Sequence, residues 1–257
     1  INTMRHLSLW LDRYSERRSQ ILDTWGGLAE SVSQLRSKIP INHIFHPLGE
    51  PSEEPRLMCF VDGGEGLREL LGLGVYSVRA SALMLSKYGK AGHGELFVRD
   101  LDMNVIDYDD HTKERVELLR DCIEYDVAVR CVREHRPTVL VLDGSLYVKA
   151  SRKRLDCKEY ELYRKKFTRL IRICHRENVR LVGVSEDSRS RLLSNHLSSE
   201  YGVKFPKHMT DSTILKILSP THPYRTIHFT PPNRFGVDEQ MIKLSLIHIS
   251  EPTRLLS

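Results

Sequence analysis

The sequence lacks any apolar run long enough to span a bilayer, and its first residues carry no secretory signal pattern. These absences argue against a helical membrane protein and against a secreted one. The five cysteines are odd in number, scattered and without a CxxC pair. We therefore expect reduced thiols in a cytoplasmic protein, with neither a disulfide framework nor a structural metal site. Internal repeats and low-complexity tracts are also missing.

The composition that remains is typical of a globular protein with a substantial core. The chain has 257 residues, of which 40% are hydrophobic and 28% are charged, and these fractions are ordinary for soluble domains. The net charge of +5 is a weak indication of a polyanionic partner such as nucleic acid.

Three segments are predicted along the chain. Residues 1–50 have apolar positions at helical spacing followed by a proline-rich linker, which indicates an amphipathic helix or helix pair. We expect this helix to pack against the flank of the main domain; a dimerisation arm is the alternative. Residues 51–243 form the main domain. Residues 244–257 are excluded from the fold, because Leu244–Arg254 matches the translation of a transposase mosaic end joined to a sequencing adapter. We therefore expect the main domain to be incomplete at its C-terminal end.

Two apolar strands each end on an Asp-Gly pair. Val139–Leu142 is a short, unbroken apolar run that ends on Asp143, and this pattern predicts a strand buried on both faces. The run that ends on Asp62 has the same pattern, and a glycine-rich turn is predicted directly after it, at residues 63–66. Since the two strands are expected side by side, we expect Asp62 and Asp143 to share one site at one edge of the sheet.

The first eight predicted elements follow the order β-β-β-α-β-α-β-α, and one more helix and one more strand come after them. Strands are predicted at 56–62, 74–85 and 95–105, followed by a helix at 113–134, the strand Val139–Asp143, a helix at 156–177 and a strand at 180–185. Helices at 188–201 and 211–218 and a last strand at 224–229 complete the order. Three antiparallel strands followed by strands that alternate with helices predict an α/β fold, in which a mixed, ribonuclease-H-like sheet is flanked by helices.

A third acid for the same site is expected on the helix at 113–134. Glu124 follows the apolar position Ile123 and therefore lies close to the buried face of that helix. Close carboxylates repel unless a cation lies between them, and hard oxygen ligands favour Mg²⁺ or Mn²⁺. Two such ions, roughly 3.5–4 Å apart, can activate water and stabilise the leaving oxygen of a phosphodiester. Either Asp-Gly pair alone predicts only a turn; both pairs together with Glu124 favour a metal site.

Four stretches resemble the NurA nuclease family in their order and spacing, namely Phe60–Gly64, Leu119–Ala128, Val141–Leu146 and Leu181–Ser185. The likeness covers about residues 56–230. It implies a ribonuclease-H-like core and Mn²⁺-dependent nuclease action on DNA, as a 5′–3′ exonuclease and single-strand endonuclease. It also implies a homodimer that works with the HerA hexameric ATPase in DNA-end resection and repair.

The resemblance also implies roles for particular residues. Carried over by motif, Asp62, Glu124 and Asp143 would be the catalytic and metal-binding acids, and Asp211 would correspond to a later metal-binding acid. Two departures stand out. The family usually has lysine after Gly-Val-Ser, whereas this chain has Glu186, and the closing family motif, which carries a histidine, is absent.

Polar and basic residues that follow Asp143 are candidates for DNA contacts. They are Ser145, Lys149, Arg152, Lys153, Arg154 and Lys165. Lysine and arginine side chains that follow a phosphate backbone give salt-dependent binding. The basic run fits a solvated helix face with i,i+4 ion pairs equally well, so the residues alone leave both interpretations open.

Two other functions are also open. A phosphotransferase of the same fold would hold Mg-ATP in its Asp-Gly loops, but that class needs a duplicated domain and a second glycine-rich loop, and the sequence has neither. A non-catalytic adaptor of a motor ATPase needs no intact site, and the acids Glu186 and Asp187 keep that alternative open. The ordered set of acids favours a metal-dependent DNA nuclease with a two-metal mechanism.

Overall fold

The computed structural model divides the chain into two compact units. It describes residues 7–18, 20, 35–49, 56–86, 96–144, 146, 157–184, 190–206, 209–218, 224–228 and 247–248. The larger unit comprises residues 50–186 and 232–243, and the smaller unit comprises residues 1–49, 187–231 and 244–257. Within the described ranges, every helix is too short or too polar to cross a membrane.

The larger unit is built on a five-stranded sheet. Its strands are β2 (Leu57–Leu70), β3 (Leu73–Ser86), β4 (Leu96–Asp107), β5 (Val139–Asp143) and β6 (Arg180–Val184). They lie in the order β4-β3-β2-β5-β6. The pairs among β2, β3 and β4 are antiparallel, whereas β5 is parallel to both β2 and β6. The prediction of a mixed α/β sheet is therefore confirmed.

Two long helices cover the buried side of this sheet. Helix α3 (Thr112–His135) packs against β2, β3 and β4, and helix α4 (Lys158–Arg176) packs beside α3 and against β6. Alternate residues of β3 are buried, as expected where only one face of a strand meets a core. Helix α3 ends where Arg136 adopts a left-handed conformation, with φ of 48°, directly before Pro137, which cannot continue a helix.

The hairpin of β2 and β3 differs from its prediction. A turn was predicted at residues 63–66, but β2 continues through these glycines to Leu70 and pairs with β3 along its whole length. The turn lies at Leu71 and Gly72, where both residues have positive φ, of 52° and 81°. Two positive φ values are typical of the two-residue turns that join twisted antiparallel strands. The ladder to β3 therefore outweighs the weak strand propensity of glycine.

The smaller unit has a separate core. Its elements are α1 (residues 7–18), α2 (Ile41–Ile44), β1 (Phe45–Pro47), α5 (Leu192–Tyr201), α6 (Asp211–Leu218), β7 (Tyr224–Thr226) and β8 (Ile247–His248). Strand β7 pairs antiparallel with both β1 and β8. The Phe45 ring meets the Tyr224 ring edge-on, with 4.9 Å between the centroids, and both side chains are buried with Ile44 and Met209.

The N-terminal part also departs from the prediction in two respects. The proline-rich stretch predicted as a linker contains α2 and β1, because Phe45 and its neighbours pair with β7. Helix α1 was expected to pack against the flank of the domain, yet all its residues are exposed, including Trp10 and Tyr14. Strand β8 lies within the segment 244–257. The adapter origin of that segment and the division of the chain into the segments 1–50, 51–243 and 244–257 remain predictions.

Candidate active site

Asp62 and Asp143 lie at neighbouring positions of the sheet. Asp143 ends β5 as predicted, whereas the strand predicted to end on Asp62 continues past it to Leu70. In the parallel ladder of β2 and β5, Phe60 pairs with Val141 and Val61 pairs with Leu142. Asp62 and Asp143 are the next residues in this register, and both are exposed. Paired residues of adjacent strands point to the same side of a sheet. The structure therefore brings these two predicted site residues together.

The backbone after Asp143 is held against the neighbouring strand. The N–H of Gly144 donates to the carbonyl oxygen of Val184, at 2.6 Å. A Cβ atom at Gly183 would lie 2.6 Å from the carbonyl oxygen of Gly144 and 3.0 Å from the nitrogen of Leu146. Any side chain at position 183 would clash with the backbone that follows Asp143. Gly183 therefore helps to define where that backbone turns away from the site.

Glu124 reaches the same edge from helix α3. The residue is 4% exposed, and its side chain lies directly on Gly63, the residue after Asp62. A Cβ atom at Gly63 would lie 2.7 Å from Cγ and 2.9 Å from Cδ of Glu124, closer than real Cβ atoms approach their neighbours. The absence of a side chain at Gly63 is therefore what allows the Glu124 carboxyl group to lie beside the strand that carries Asp62.

The electrostatics of Glu124 connect the three predicted acids. Its pKa is raised from 4.5 to about 8, chiefly by burial and then by the negative charge of Asp121, while Arg120 opposes the rise. The charges of Asp62 and Asp143 also raise this pKa, because like charges disfavour another ionised carboxylate. Glu124 therefore lies within the electrostatic field of both Asp62 and Asp143.

This pKa makes a testable prediction about stability in the presence of chelator. The folded chain retains the Glu124 proton up to pH of about 8, whereas the unfolded chain loses it near the ordinary pKa of 4.5. Between these values the folded state binds more protons, so the free energy of unfolding should fall with pH, by roughly 1 kcal/mol per unit. Glu124→Gln should remove that loss, leaving the variant more stable than wild type at pH 8 and equal to it near pH 4.5.

Chemical denaturation across this pH range measures the effect. Glu134→Gln, an exposed position on the same helix, is the matched control and should retain the wild-type slope. A Glu124→Gln variant as pH-dependent as the wild type would contradict the assigned cause.

The sequence interpretation missed a group of charged residues around Glu124. Arg120 donates to Glu65 at 2.9 Å and to Asp121 at 2.8 Å, and its Nε atom lies 3.3 Å from Oε1 of Glu124. Arg120 and Asp121 precede Glu124 by four and three residues, which is the spacing of neighbours on a helix surface. Helical spacing was thus an available signal for these two residues. It gave no signal for Glu65, which lies on β2.

Asp211, the fourth predicted acid, belongs to the smaller unit. It is buried, and its Oδ1 atom accepts the N–H of Ser194 at 2.9 Å. Ser194 lies in the first turn of α5, where backbone N–H groups lack partners within the helix. Asp211 therefore caps α5 from a distance, in place of Arg191, the residue before the helix, which makes no side-chain cap. The predicted metal-binding role of Asp211 remains a prediction.

The predicted DNA contacts are only partly within the described residues. Lys165 is exposed on α4, in one stripe with Arg169 and Arg172, which are also exposed. Two other basic residues of this helix are engaged in ion pairs, Arg164 with Glu161 and Lys166 with Asp126. The remaining predicted contacts lie outside the described residues; they are Ser145, Lys149, Arg152, Lys153 and Arg154.

The donor chemistry at the sheet edge fits a hard divalent cation. Asp62, Asp143 and Glu124 offer carboxylate oxygens without nitrogen or sulfur, which are the donors that Mg²⁺ and Mn²⁺ prefer. In the part of the chain that the structure describes, no three Asp, Glu, His or Cys side chains are grouped closely enough to hold an ion as they stand.

Comparison with known proteins identifies the family. A family model described as the NurA domain matches residues 56–247, which include all four predicted acids. The chain belongs to the NurA family. This membership supports a nuclease. Among curated protein sequences, none matches the chain.

Solved NurA structures resemble the chain at low sequence identity. The NurA nuclease from Sulfolobus solfataricus is 18% identical with a TM-score of 0.57, and the match covers 85% of this chain and 69% of that one. At this identity the likeness shows a shared fold. A structure of NurA bound to dAMP and manganese is 17% identical with a TM-score of 0.43, over 93% of this chain and 59% of that one. This chain therefore spans less than two thirds of the length of the second protein.

Proposed function

We propose that this protein is a divalent-metal-dependent nuclease that hydrolyses phosphodiester bonds of DNA by a two-metal mechanism. One observation carries the proposal. Asp62 and Asp143 directly follow the last pair of the β2–β5 ladder, and Glu124 lies over Gly63, where the charges of both aspartates raise its pKa. Three acids on rigid elements, in a protein of a nuclease family, are best explained as ligands of Mn²⁺ or Mg²⁺.

Each acid would have a distinct task. Asp62 and Asp143 are exposed at the sheet edge, so they can bind an ion that remains open to substrate phosphate. Glu124 is buried and held against Gly63, so it would complete the site from helix α3 and limit where an ion can lie. When bound, two divalent cations supply positive charge to the attacking water and to the leaving oxygen.

The exposed basic stripe of α4 supports a polyanionic substrate. Lys165, Arg169 and Arg172 recur at helical spacing on one exposed face, which suits contact with a phosphate backbone. We propose that this stripe, together with the predicted contacts from Ser145 to Arg154, binds DNA. Binding of this kind weakens steeply as salt concentration rises.

The remaining parts of the proposal rest on family membership. They are 5′–3′ exonuclease and single-strand endonuclease action, assembly as a homodimer, partnership with a HerA-type ATPase, a role in DNA-end resection and repair, and a cytoplasmic location.

Degradation of labelled single-stranded and blunt duplex DNA tests the proposed activity. The full chain is incubated with Mn²⁺, with Mg²⁺ and with excess chelator, and products are resolved by length. We expect cleavage with Mn²⁺ at least tenfold above the chelated background, and recovery when Mn²⁺ is restored in excess. DNA binding without metal-dependent cleavage would contradict the nuclease and favour the adaptor.

A further inference from the structure

Arg120 forms ion pairs with three acids around the candidate active site. Its Nη1 atom lies 2.9 Å from Oε2 of Glu65, its Nη2 atom lies 2.8 Å from Oδ1 of Asp121, and its Nε atom lies 3.3 Å from Oε1 of Glu124. The first two contacts are hydrogen bonds, and the third is an ion pair without hydrogen-bond geometry. All three nitrogens of one guanidinium group are thus engaged.

These contacts join two of the three elements that carry the candidate acids. Glu65 lies on β2, three residues after Asp62, whereas Arg120 and Glu124 lie one helical turn apart on α3. A planar guanidinium group with five donors is suited to such bridging, because its geometry is rigid and its charge is permanent. Arg120 therefore links the face of α3 that carries Glu124 directly to β2, the strand that carries Asp62.

Arg120 also opposes a repulsion within the helix. Asp121 and Glu124 are three residues apart on one helix face, where like charges destabilise each other. Arg120 lies against both carboxylates. Without Arg120, the ionised Glu124 carboxylate would be repelled by the negative charge of Asp121. Rotation of the Glu124 side chain away from Gly63, Asp62 and Asp143 would reduce this repulsion.

The Arg120 contacts differ from ordinary surface ion pairs of this protein. Its side chain is 29% exposed, and those of Asp121 and Glu124 are 14% and 6% exposed. By contrast, Arg130 on the same helix is 41% exposed and lies 4.0 Å from Asp100. Exposed pairs contribute little because solvent screens them, whereas a partly buried arginine with three acidic partners restrains its neighbours.

We propose that Arg120 is a positioning residue, which holds the Glu124 carboxylate over Gly63 in the orientation that completes the metal site with Asp62 and Asp143. This inference rests on the proposed metal-dependent function. It assigns to Arg120 no contact with substrate or with the ion. Its effect on metal affinity passes entirely through Glu124.

Binding of Mn²⁺ alone to the full-length chain tests this, with the free aquo ion counted by electron paramagnetic resonance. Arg120→Gln should weaken Mn²⁺ binding about tenfold, and Arg120→Lys should recover part of the loss because it retains the charge. In a Glu124→Gln background, Arg120→Gln should cause no further loss, since a residue that acts through Glu124 has nothing left to position. Arg130→Gln is the matched control and should bind as the wild type does.

The outcomes separate this inference from the function on which it rests. Wild-type protein that binds no Mn²⁺ would overturn both. Wild-type binding together with unchanged or tighter binding by Arg120→Gln, or with additive losses in the double variant, would overturn the role of Arg120 alone. Thermal unfolding of each variant identifies misfolding, and partial recovery by Arg120→Lys distinguishes positioning from a general loss of stability.

Discussion

Replacing Asp143 by asparagine should lower Mn²⁺-dependent DNA cleavage about 10³-fold. Asparagine has the shape of aspartate but lacks its charge, so it is a poor ligand for a hard cation. Charge stabilisation of the transition state by bound metal contributes several kcal/mol, and a loss of about 4 kcal/mol corresponds to a thousandfold rate decrease. Initial rates on labelled single-stranded DNA at saturating Mn²⁺ measure the change.

The fold should tolerate this substitution. Asp143 is the last residue of β5 and is exposed, while the core contribution of the strand comes from Leu140 and Leu142, which are buried. We therefore expect the free energy of unfolding to change by less than about 0.5 kcal/mol, as for other surface positions.

Asp102→Asn is the matched control, because Asp102 is an exposed strand aspartate of the same sheet. This variant should cleave DNA at the wild-type rate. An Asp143→Asn enzyme that retains more than a tenth of wild-type activity would remove Asp143 from the catalytic assignment.

Replacing Gly63 by alanine should lower the same activity at least 10²-fold, although glycine itself carries no chemistry. The new methyl group would lie 2.7 Å from Cγ and 2.9 Å from Cδ of Glu124. Because Cδ is the carboxyl carbon and Oε1 also lies within contact, the whole carboxyl group must move away. Displacement of an active-site group by about 1 Å can cost 10²-fold in rate.

The neighbouring glycine is a close control for this experiment. A Cβ atom at Gly64 would meet the guanidinium end of Arg79, at 3.2 Å from Nε, and that flexible end can shift. Gly64→Ala should therefore retain most of the activity, with rates compared on the same DNA and metal. Equal rates for Gly63→Ala and wild type would show that the position of Glu124 over Gly63 does not matter for catalysis.

Much of the larger unit was predictable because its pattern is regular. Helix α3 was predicted at 113–134 and spans Thr112–His135, and strand β5 ends on Asp143 as its apolar run indicated. Long periodic segments with a buried stripe are the strongest signal in a sequence. The ladder of β2 and β5 ends at Val61 and Leu142, so Asp62 and Asp143 are the next residues on neighbouring strands. That they form one site remains a prediction.

The errors share a physical cause. Residues 63–66 were predicted as a turn because glycine is rare in strands, yet pairing with β3 supplies backbone hydrogen bonds that local propensity cannot reveal. The exposed side chains of α1 illustrate the same limit. An amphipathic pattern indicates that a helix has an apolar face, but it does not specify what that face packs against.

Local sequence alone determined the elements of this protein and the chemistry available to it. Strand and helix periodicity set the order of elements, and the acids Asp62, Glu124 and Asp143 set a preference for hard divalent cations. The three-dimensional packing decided how Glu124 lies on Gly63 and how Arg120 joins Glu65, Asp121 and Glu124. The contacts of Glu124 with Gly63 and of Arg120 with Glu65 link residues that are distant in the chain. They depend on how closely α3 approaches β2, and no local pattern encodes that distance.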